Sequence, residues 1–136
     1  MKYLLPLFVA ALLVSSCDTK STTETTSTTN TEMKASPQLR HVVLLKFKES
    51  ATESDIKKVE EAFIGLKSKI KEIKDLEWGI NNSPEGLNKG FTHCFFLTFE
   101  SEEDRAIYLP HPDHKAFGDV LGPHLEDVTV VDYWAK

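Results

Sequence analysis

The stretch Tyr108-Leu-Pro-His-Pro-Asp-His114 divides the second helical segment of the chain. Each of its two prolines pushes the residue before it towards an extended backbone, so a helix cannot continue through this stretch. We therefore expect a break from Tyr108 to His111. A new helix should begin at Pro112, because proline suits the first helical position. It should end near Leu121, where Gly122-Pro123 follows.

On either side of this stretch, the sequence alternates between strand-like and helix-like patterns. Four runs rich in β-branched and aromatic residues are typical of strands. These runs are Leu39–Lys48, Leu76–Asn81, Phe91–Phe99 and Val128–Trp134. Between the second and third runs, Asn82–Gly90 has the composition of a loop.

Each of the two helical segments begins with a recognisable start signal. Thr52 can cap the first helix, with Asp55 three residues later, and Ser101 and Asp104 repeat this spacing at the second. In the first helix, apolar residues recur every three or four positions, as on a buried helix face. These residues are Ile56, Val59, Phe63, Leu66 and Ile70.

The resulting order, β-α-β-β-α-β, predicts the ferredoxin-like α+β fold. This fold has an antiparallel sheet with the helices on one face. Within it we expect the first and third strands to be parallel neighbours at the centre. His41 and His93, which each lead one of these strands, would then lie side by side at one end of the sheet.

The face of the sheet away from the helices is too apolar to stand in water. It carries Val42, Leu44, Cys94 and Phe96. An apolar sheet face of this kind predicts a second sheet packed against it. We therefore expect a homodimer formed through the sheet face.

Residues 1–17 have the pattern of a bacterial lipoprotein signal peptide. A short positive segment precedes the apolar run Leu4–Val14, which is shorter than the roughly 20 residues that span a bilayer. The run ends in Val14-Ser-Ser-Cys17, which resembles a lipobox and predicts lipidation of Cys17. An ordinary secretory signal is the alternative. The predicted location is the cell envelope, at the inner or the outer membrane.

Residues 18–36 are predicted to be a disordered tether. They consist almost entirely of Thr, Ser, Glu and Asn, and so cannot bury enough apolar surface to offset the cost of ordering. The folded domain is then 37–136, held to the membrane through Cys17.

Charge and cysteine content bear on the partners and the chemistry of the chain, and we predict no cofactor. The net charge is −5 and no basic stripe is present, which argues against binding to nucleic acid. Once Cys17 is acylated, Cys94 is the only remaining cysteine, and its apolar strand favours a buried, inert thiol.

Several motifs, taken in order, resemble those of the stress-responsive A/B barrel domain, the Dabb family. The motifs are His41-Val-Val-Leu-Leu-Lys-Phe-Lys48, Trp78-Gly79, Phe91-Thr-His93, Thr98-Phe99-Glu-Ser101, Tyr108, His111-Pro112-x-His114, Phe117-Gly-Asp119 and Asp132-Tyr133. The resemblance covers Leu39 to Trp134. It implies a dimeric α/β barrel of two ferredoxin-like protomers.

The resemblance also implies candidate site residues. One branch of the family contains polyketide cyclases that close a ring by aldol condensation. Their catalytic tyrosine and histidine match Tyr108 and His114, and their supporting histidines match His41 and His93. Where that branch has a tyrosine lining the substrate pocket, this chain has Phe63.

The chemistry of these residues suits proton abstraction next to a carbonyl. His114 would lie in the first turn of a helix, where the helix dipole disfavours the imidazolium form. Tyr108 can donate its hydroxyl to a developing enolate. The ligand would be a small carbonyl or phenolic compound, contacted by further residues at the pocket: His41, His93, Phe63 and His111.

Three alternatives remain open at this point. The domain can be a small-molecule binder, a cyclase-like or lyase-like enzyme, or a non-catalytic dimeric module in which Tyr108 and His114 only satisfy buried polar groups. A metal site at His111 and His114, with His93 or Asp113, is a weaker alternative, because the spacing does not establish convergent ligands.

Overall fold

The computed structural model of the chain describes residues 37–136. The predicted signal peptide (1–17), with its lipidation at Cys17, and the predicted tether (18–36) lie outside the described residues. The elements found within 37–136 are β1 (Leu39–Phe47), α1 (Glu53–Lys69), β2 (Asp75–Ile80), β3 (His93–Phe99), α2 (Glu102–Tyr108), α3 (Pro112–Leu121) and β4 (Leu125–Trp134). No helix in this part of the chain is both long and apolar enough to cross a membrane.

The sheet is antiparallel throughout, with strand order β2-β3-β1-β4. This confirms the predicted ferredoxin-like arrangement, but the prediction that β1 and β3 run parallel is wrong. The reason is that α1 returns the chain so that β2 runs in the direction of β1, and the loop 81–92 then reverses it into β3.

The direction of β3 also separates two of the predicted site residues. In the β1–β3 register, His41 lies opposite Leu97, and His93 lies opposite Leu45. The two histidines are therefore four residues apart along the strands, which is roughly 13 Å. The prediction that they lie side by side is wrong.

The helices cover one face of the sheet and form the core with it. The apolar residues of α1 that were predicted to be buried pack against the sheet, and Val59, Phe63 and Leu66 are almost fully buried. The strands contribute the alternate positions that face them. These strand residues are Leu39, Val43, Leu45, Phe95, Leu97 and Phe99.

The opposite face of the sheet, here called the open face, is apolar and only partly covered. Its residues on the central strands are partly exposed, and those on β4 are more so. The open face includes Val42, Leu44, Cys94, Phe96, Val131 and Tyr133. Val131 is 50% exposed and Tyr133 is 45% exposed. Such a face agrees with the expectation of a partner sheet.

Both predicted start signals act as helix caps. Thr52 and Asp55 form a capping box at α1, each side chain accepting the other's backbone N–H. At α2, the Ser101 hydroxyl accepts the N–H of Asp104. The Asp104 carboxylate accepts the N–H of Glu100 rather than that of Ser101. Both helix starts therefore follow the sequence signals.

The helix break lies where the prolines predict it. α2 ends at Tyr108, and α3 runs from Pro112 to Leu121. Between them the N–H of His111 donates to the carbonyl of Tyr108, which closes a tight turn. This turn places the end of one helix beside the start of the next.

Candidate acid–base site

Tyr108 lies between two histidines that come from different elements of the fold. Its ring centroid is 4.3 Å from that of His114 on α3 and 5.7 Å from that of His41 on β1. Its side chain is almost fully buried, with the ring of Phe99 at 5.2 Å. The structure thus brings together the two residues predicted to be catalytic and one predicted to bind the ligand.

The hydrogen bond of His114 determines which ring nitrogen can accept a proton. Its Nδ1 lies 2.9 Å from the backbone oxygen of Leu109. Because a carbonyl only accepts hydrogen bonds, Nδ1 carries the proton and Nε2 keeps its lone pair when the ring is neutral. His114 is therefore arranged to act as a base through Nε2.

The Asp132 carboxylate on β4 connects His41 to Arg105. It lies opposite His41 in the β1–β4 register, and its Oδ1 is 2.7 Å from Nδ1 of His41. Its other oxygen, Oδ2, is 3.1 Å from Nη1 of Arg105 on α2. A carboxylate accepts the Nδ1 proton, so the neutral His41 ring also keeps its lone pair at Nε2. The carboxylate of Asp132 thus sets the tautomer of His41.

Burial shifts the proton affinity of both buried ring systems. Burial lowers the pKa of His41 below its ordinary value of 6.5, and the nearby charges of His114 and Arg105 act in the same direction. The hydrogen bond to Asp132 opposes this shift. Burial raises the pKa of the Tyr108 hydroxyl far above its ordinary value of 10.0. At neutral pH, His41 is thus mainly uncharged, and Tyr108 keeps its proton and is a donor.

Three phenylalanines form an aromatic cluster that reaches His114. The ring of Phe63 stacks on Phe95 with centroids 3.9 Å apart and lies 4.6 Å from that of Phe117. The Phe117 centroid is 6.3 Å from that of His114. Phe63, predicted to bind the ligand, therefore reaches the acid–base residues through Phe117.

Almost all of the described part of the chain also matches a known protein family. Residues 39–135 match the family described as Stress responsive A/B Barrel Domain, Dabb. The chain belongs to the Dabb family. This confirms the family resemblance drawn from the ordered motifs.

The relatives of this Dabb chain include a protein named after its domain and a protein named as an enzyme. This chain is 36% identical over 95 residues to the Stress-response A/B barrel domain-containing protein HS1 of Arabidopsis thaliana, a match that covers 70% of this chain and 87% of that protein. It is 34% identical over 95 residues to olivetolic acid cyclase of Cannabis sativa, covering 70% and 94% of the two chains.

Solved structures with the same fold include an enzyme and a dimer of unknown function. The hydroxynitrile lyase from Passiflora edulis superposes with a TM-score of 0.70 at 25% identity, covering 74% of this chain and 95% of that one. A dimeric protein of ferredoxin-like fold from Bacteroides fragilis superposes with a TM-score of 0.60 at 26% identity, covering 72% and 96%. The neighbours of this Dabb domain thus include dimeric proteins.

His93 belongs to a different part of the Dabb domain from Tyr108 and His114. Its Nε2 lies 3.0 Å from the Glu60 carboxylate on α1, and its Nδ1 lies 2.8 Å from the Thr92 hydroxyl. The ring is buried between Phe47 and Trp78. Both ring nitrogens are therefore engaged, and the residue joins α1 to β3.

His111 serves as the N-cap of α3. Its Nδ1 accepts the N–H of Asp113 at 3.2 Å, and the Asp113 carboxylate lies 3.5 Å from the same nitrogen and 4.0 Å from Lys69. Asp113 is thus held against His111 and Lys69. Within residues 37–136, His, Cys, Asp and Glu side chains do not gather in a group of three or more that could hold a metal ion.

One open concavity formed by the described residues lies at the His93 end of the sheet. It has a volume of about 350 Å³, and its lining includes Asn81, Asn88 and Phe91 but neither Tyr108 nor His114. The apolar strand around Cys94 contributes to it as well, and burial raises the pKa of that thiol, which disfavours the thiolate. The cysteine therefore offers no nucleophile there.

Sequence reasoning missed Asp132 and Arg105 as parts of the site. Asp132 stands in a Dabb motif, but its contact with His41 depends on the β1–β4 register, which no local pattern shows. Arg105 lies three residues before Tyr108 on α2, so the helical spacing alone places the two on one side of the helix. The sequence therefore contained a helical signal for Arg105, whereas for Asp132 it contained the motif but not the contact with His41.

Proposed function

We propose that this Dabb protein binds a small carbonyl or phenolic compound at Tyr108 and His114 and acts on it by acid–base catalysis. The observation that carries the proposal is the placement of the Tyr108 ring between those of His114 and His41. A protonated phenol next to an imidazole with a bare Nε2 is a donor–acceptor pair. Two enzymes among the relatives, a cyclase and a hydroxynitrile lyase, support this choice.

The proposed reaction begins with proton abstraction from a carbon next to a carbonyl group. The Nε2 of His114 takes the proton, and the electron pair of the broken C–H bond moves onto the carbonyl oxygen to form an enolate. Tyr108 stabilises this oxygen by donating its hydroxyl, which stays protonated because burial raises its pKa. The enolate carbon can then attack a second carbonyl carbon, whose π electrons move onto its oxygen, and the resulting alkoxide takes the proton back from Nε2 of His114, as in an aldol addition.

The hydroxyl of Tyr108 is suited to this role because the two neighbouring histidines have other hydrogen-bond partners. Among the described residues, His41 is hydrogen-bonded to Asp132 and His114 to the backbone of Leu109, and neither bond uses the Tyr108 hydroxyl. Its oxygen is therefore not held by either histidine, although the side chain is almost fully buried in the single chain. A ligand carbonyl can accept its proton without breaking a bond of the fold.

A second candidate function is a non-catalytic dimeric module. The specific observation in its favour is the aromatic cluster of Phe63, Phe95 and Phe117, which fills the interior beside His114. A filled interior leaves room for only a compact ligand next to Tyr108. If no such ligand exists, the acid–base residues serve the fold alone.

The protein is further proposed to be a homodimer joined through the open face of the sheet. Val131 and Tyr133 are about half exposed in the single chain, and Val42 and Phe96 lie beside them on the central strands. Dimeric neighbours of the same fold support this assembly. Burial of these side chains would stabilise the dimer by roughly 25 cal/mol per Å² of apolar surface.

The domain is also proposed to be anchored to a bacterial membrane through a lipid on Cys17, following the lipobox-like Val14-Ser-Ser-Cys17. Several acyl chains hold a protein firmly where one chain binds weakly. Mass spectrometry of the mature protein tests the anchor. A mature N-terminus at an acylated Cys17 is the expected result, and an unmodified Cys17 overturns it.

The test of the proposed function is a ligand screen by thermal unfolding of the full-length protein. Small β-dicarbonyl compounds, aldehydes and phenols are the probes, and a ligand that binds the folded state raises the melting temperature. We expect some of them to stabilise the wild type but not His114→Ala, and the compounds that bind then enter turnover assays. His124→Ala, a histidine outside the site, is the matched control. Equal stabilisation of the wild type and His114→Ala, or none in either, favours the non-catalytic module.

A further inference from the structure

Arg105 occupies the junction between three elements of the site. It lies on α2 three residues before Tyr108, and its Nη1 reaches Oδ2 of Asp132 on β4 at 3.1 Å. The other oxygen of Asp132 holds His41 of β1 at 2.7 Å. One carboxylate thus joins the helix that carries Tyr108 to the strand that carries His41.

The Asp132 carboxylate is held more firmly by two partners than it would be by one. A carboxylate bonded only to His41 can rotate and present either oxygen to the imidazole. When Arg105 occupies the second oxygen, the plane of the carboxylate is fixed, and the His41 ring is held in one orientation. Both Arg105 and Asp132 are partly buried, at 23% and 31% side-chain exposure, so solvent screens this pair less than a surface ion pair.

We propose that Arg105 is a positioning residue of this site, which fixes Asp132, through it orients the His41 imidazole beside Tyr108, and adds to the effect of burial in keeping that ring uncharged. The inference rests on the proposed function, because it assigns a role to Arg105 within the same acid–base arrangement. A lone carboxylate beside a histidine favours the charged imidazolium. A carboxylate shared with an arginine has part of its charge balanced, so it orients the ring without charging it.

The charged and titratable groups around His41 act in opposite directions. Asp132 on β4 favours the imidazolium form, whereas Arg105 on α2 and His114 on α3 disfavour it. Tyr108 faces it as a neutral phenol, and the ring of Phe99 on β3 lies 6.1 Å away. Arg105 is thus the one permanent cation that acts on His41 among the described residues.

The experiment follows the ring proton signal of His41 by NMR as a function of pH in the full-length protein. In Arg105→Gln, the midpoint of the His41 titration is expected to shift to higher pH, because the cation is lost and Asp132 acts alone. In Arg105→Lys, which keeps the positive charge, the midpoint is expected to stay near the wild-type value. Arg40→Gln is the matched control, since it removes the only other arginine of the chain, which lies over Phe96 on the open face.

An unchanged His41 midpoint in folded Arg105→Gln overturns the proposal, as does an equal upward shift in Arg40→Gln. If Arg105→Gln does not fold, Arg105→Met keeps the apolar stem of the side chain and is judged by the same criteria. The titration requires no ligand, so its result stands even if the ligand screen finds nothing. Conversely, ligand binding by the wild type together with an unchanged His41 midpoint in the variant overturns only the role of Arg105.

Discussion

Tyr108 and His114 face each other across the break between two helices, with ring centroids 4.3 Å apart. The break itself produces this relationship, because Tyr108 ends α2 and His114 is the third residue of α3. A continuous helix would place residues six apart on different sides, since neighbours on one side are three or four apart. The prolines therefore do more than end a helix: they bring the proposed donor and base together.

The first prediction concerns the hydroxyl of Tyr108. Tyr108→Phe keeps the ring that packs against Phe99 and His114 and removes only the oxygen. We expect the free energy of unfolding to change by less than about 1 kcal/mol, because the side-chain hydrogen bonds of His41 and His114 in the described residues do not use this hydroxyl. Binding of carbonyl ligands should weaken about tenfold, measured by titration calorimetry.

The matched control for this prediction is Tyr133→Phe, which removes the same oxygen from a tyrosine 45% exposed on the open face. It should leave ligand affinity unchanged. Loss of more than about 3 kcal/mol of stability in Tyr108→Phe would show that the hydroxyl serves the core, since that exceeds the usual worth of one hydrogen bond.

The second prediction is a pH dependence of stability that arises from His41. Burial lowers the pKa of His41 in the folded protein below 6.5. Between that lowered value and 6.5, the unfolded chain binds more protons than the folded one, so the free energy of unfolding falls as the pH falls. The stabilisation is fully present above pH 6.5 and is lost as the pH passes down through the folded-state pKa.

Urea unfolding at pH 7.5 and pH 5 measures this effect. His41→Gln removes the titrating group, so its free energy of unfolding should fall less between the two pH values than that of the wild type. His124→Gln, which removes a more exposed histidine, should keep the wild-type difference. Equal pH dependence in the wild type and His41→Gln would contradict the assignment.

The sequence predicted those parts of the fold that depend on local chemistry. The helix break at Tyr108–His111 follows from two prolines, and the start of α1 follows from the Thr52 and Asp55 capping box. Both signals act within a few residues, so they can be read without knowledge of the sheet. The burial of the α1 apolar stripe follows from its period in the same way.

The parts that could not be predicted depend on strand direction and register. The placement of His93 beside His41 failed because the chain reversal in the loop 81–92 makes β3 antiparallel to β1. The contact of Asp132 with His41 requires the β1–β4 register, which sets partners 91 positions apart. Such long-range relationships are set by the whole sheet, so composition and spacing cannot supply them.

The third prediction concerns the aromatic cluster next to His114. Phe63→Ala removes a fully buried ring that contacts Phe95 and Phe117. We expect it to lower the free energy of unfolding by about 3–5 kcal/mol, because a cavity replaces the ring. Ile64→Ala, at the neighbouring exposed position of α1, should cost far less in the same denaturant titration. Similar costs for both substitutions would contradict the described packing.

The last prediction tests the dimer through a side chain that the single chain leaves exposed. Val131 on the open face is 50% exposed, so Val131→Glu should change the stability of an isolated protomer little. In the proposed dimer, however, the same position is covered by the partner sheet, and burying a charge there without a partner is costly. We therefore expect Val131→Glu to convert the dimer into a folded monomer, measured by sedimentation at micromolar concentration.

The matched control for the dimer is Ile64→Glu, which places the same charge on α1 at a position 39% exposed and on the other side of the fold. It should leave the dimer intact, because the proposed interface is the open face alone. Circular dichroism establishes that both variants are folded. Dissociation by Ile64→Glu rather than by Val131→Glu would show that the interface lies on the helices. A wild type that sediments as a monomer would contradict the proposed dimer.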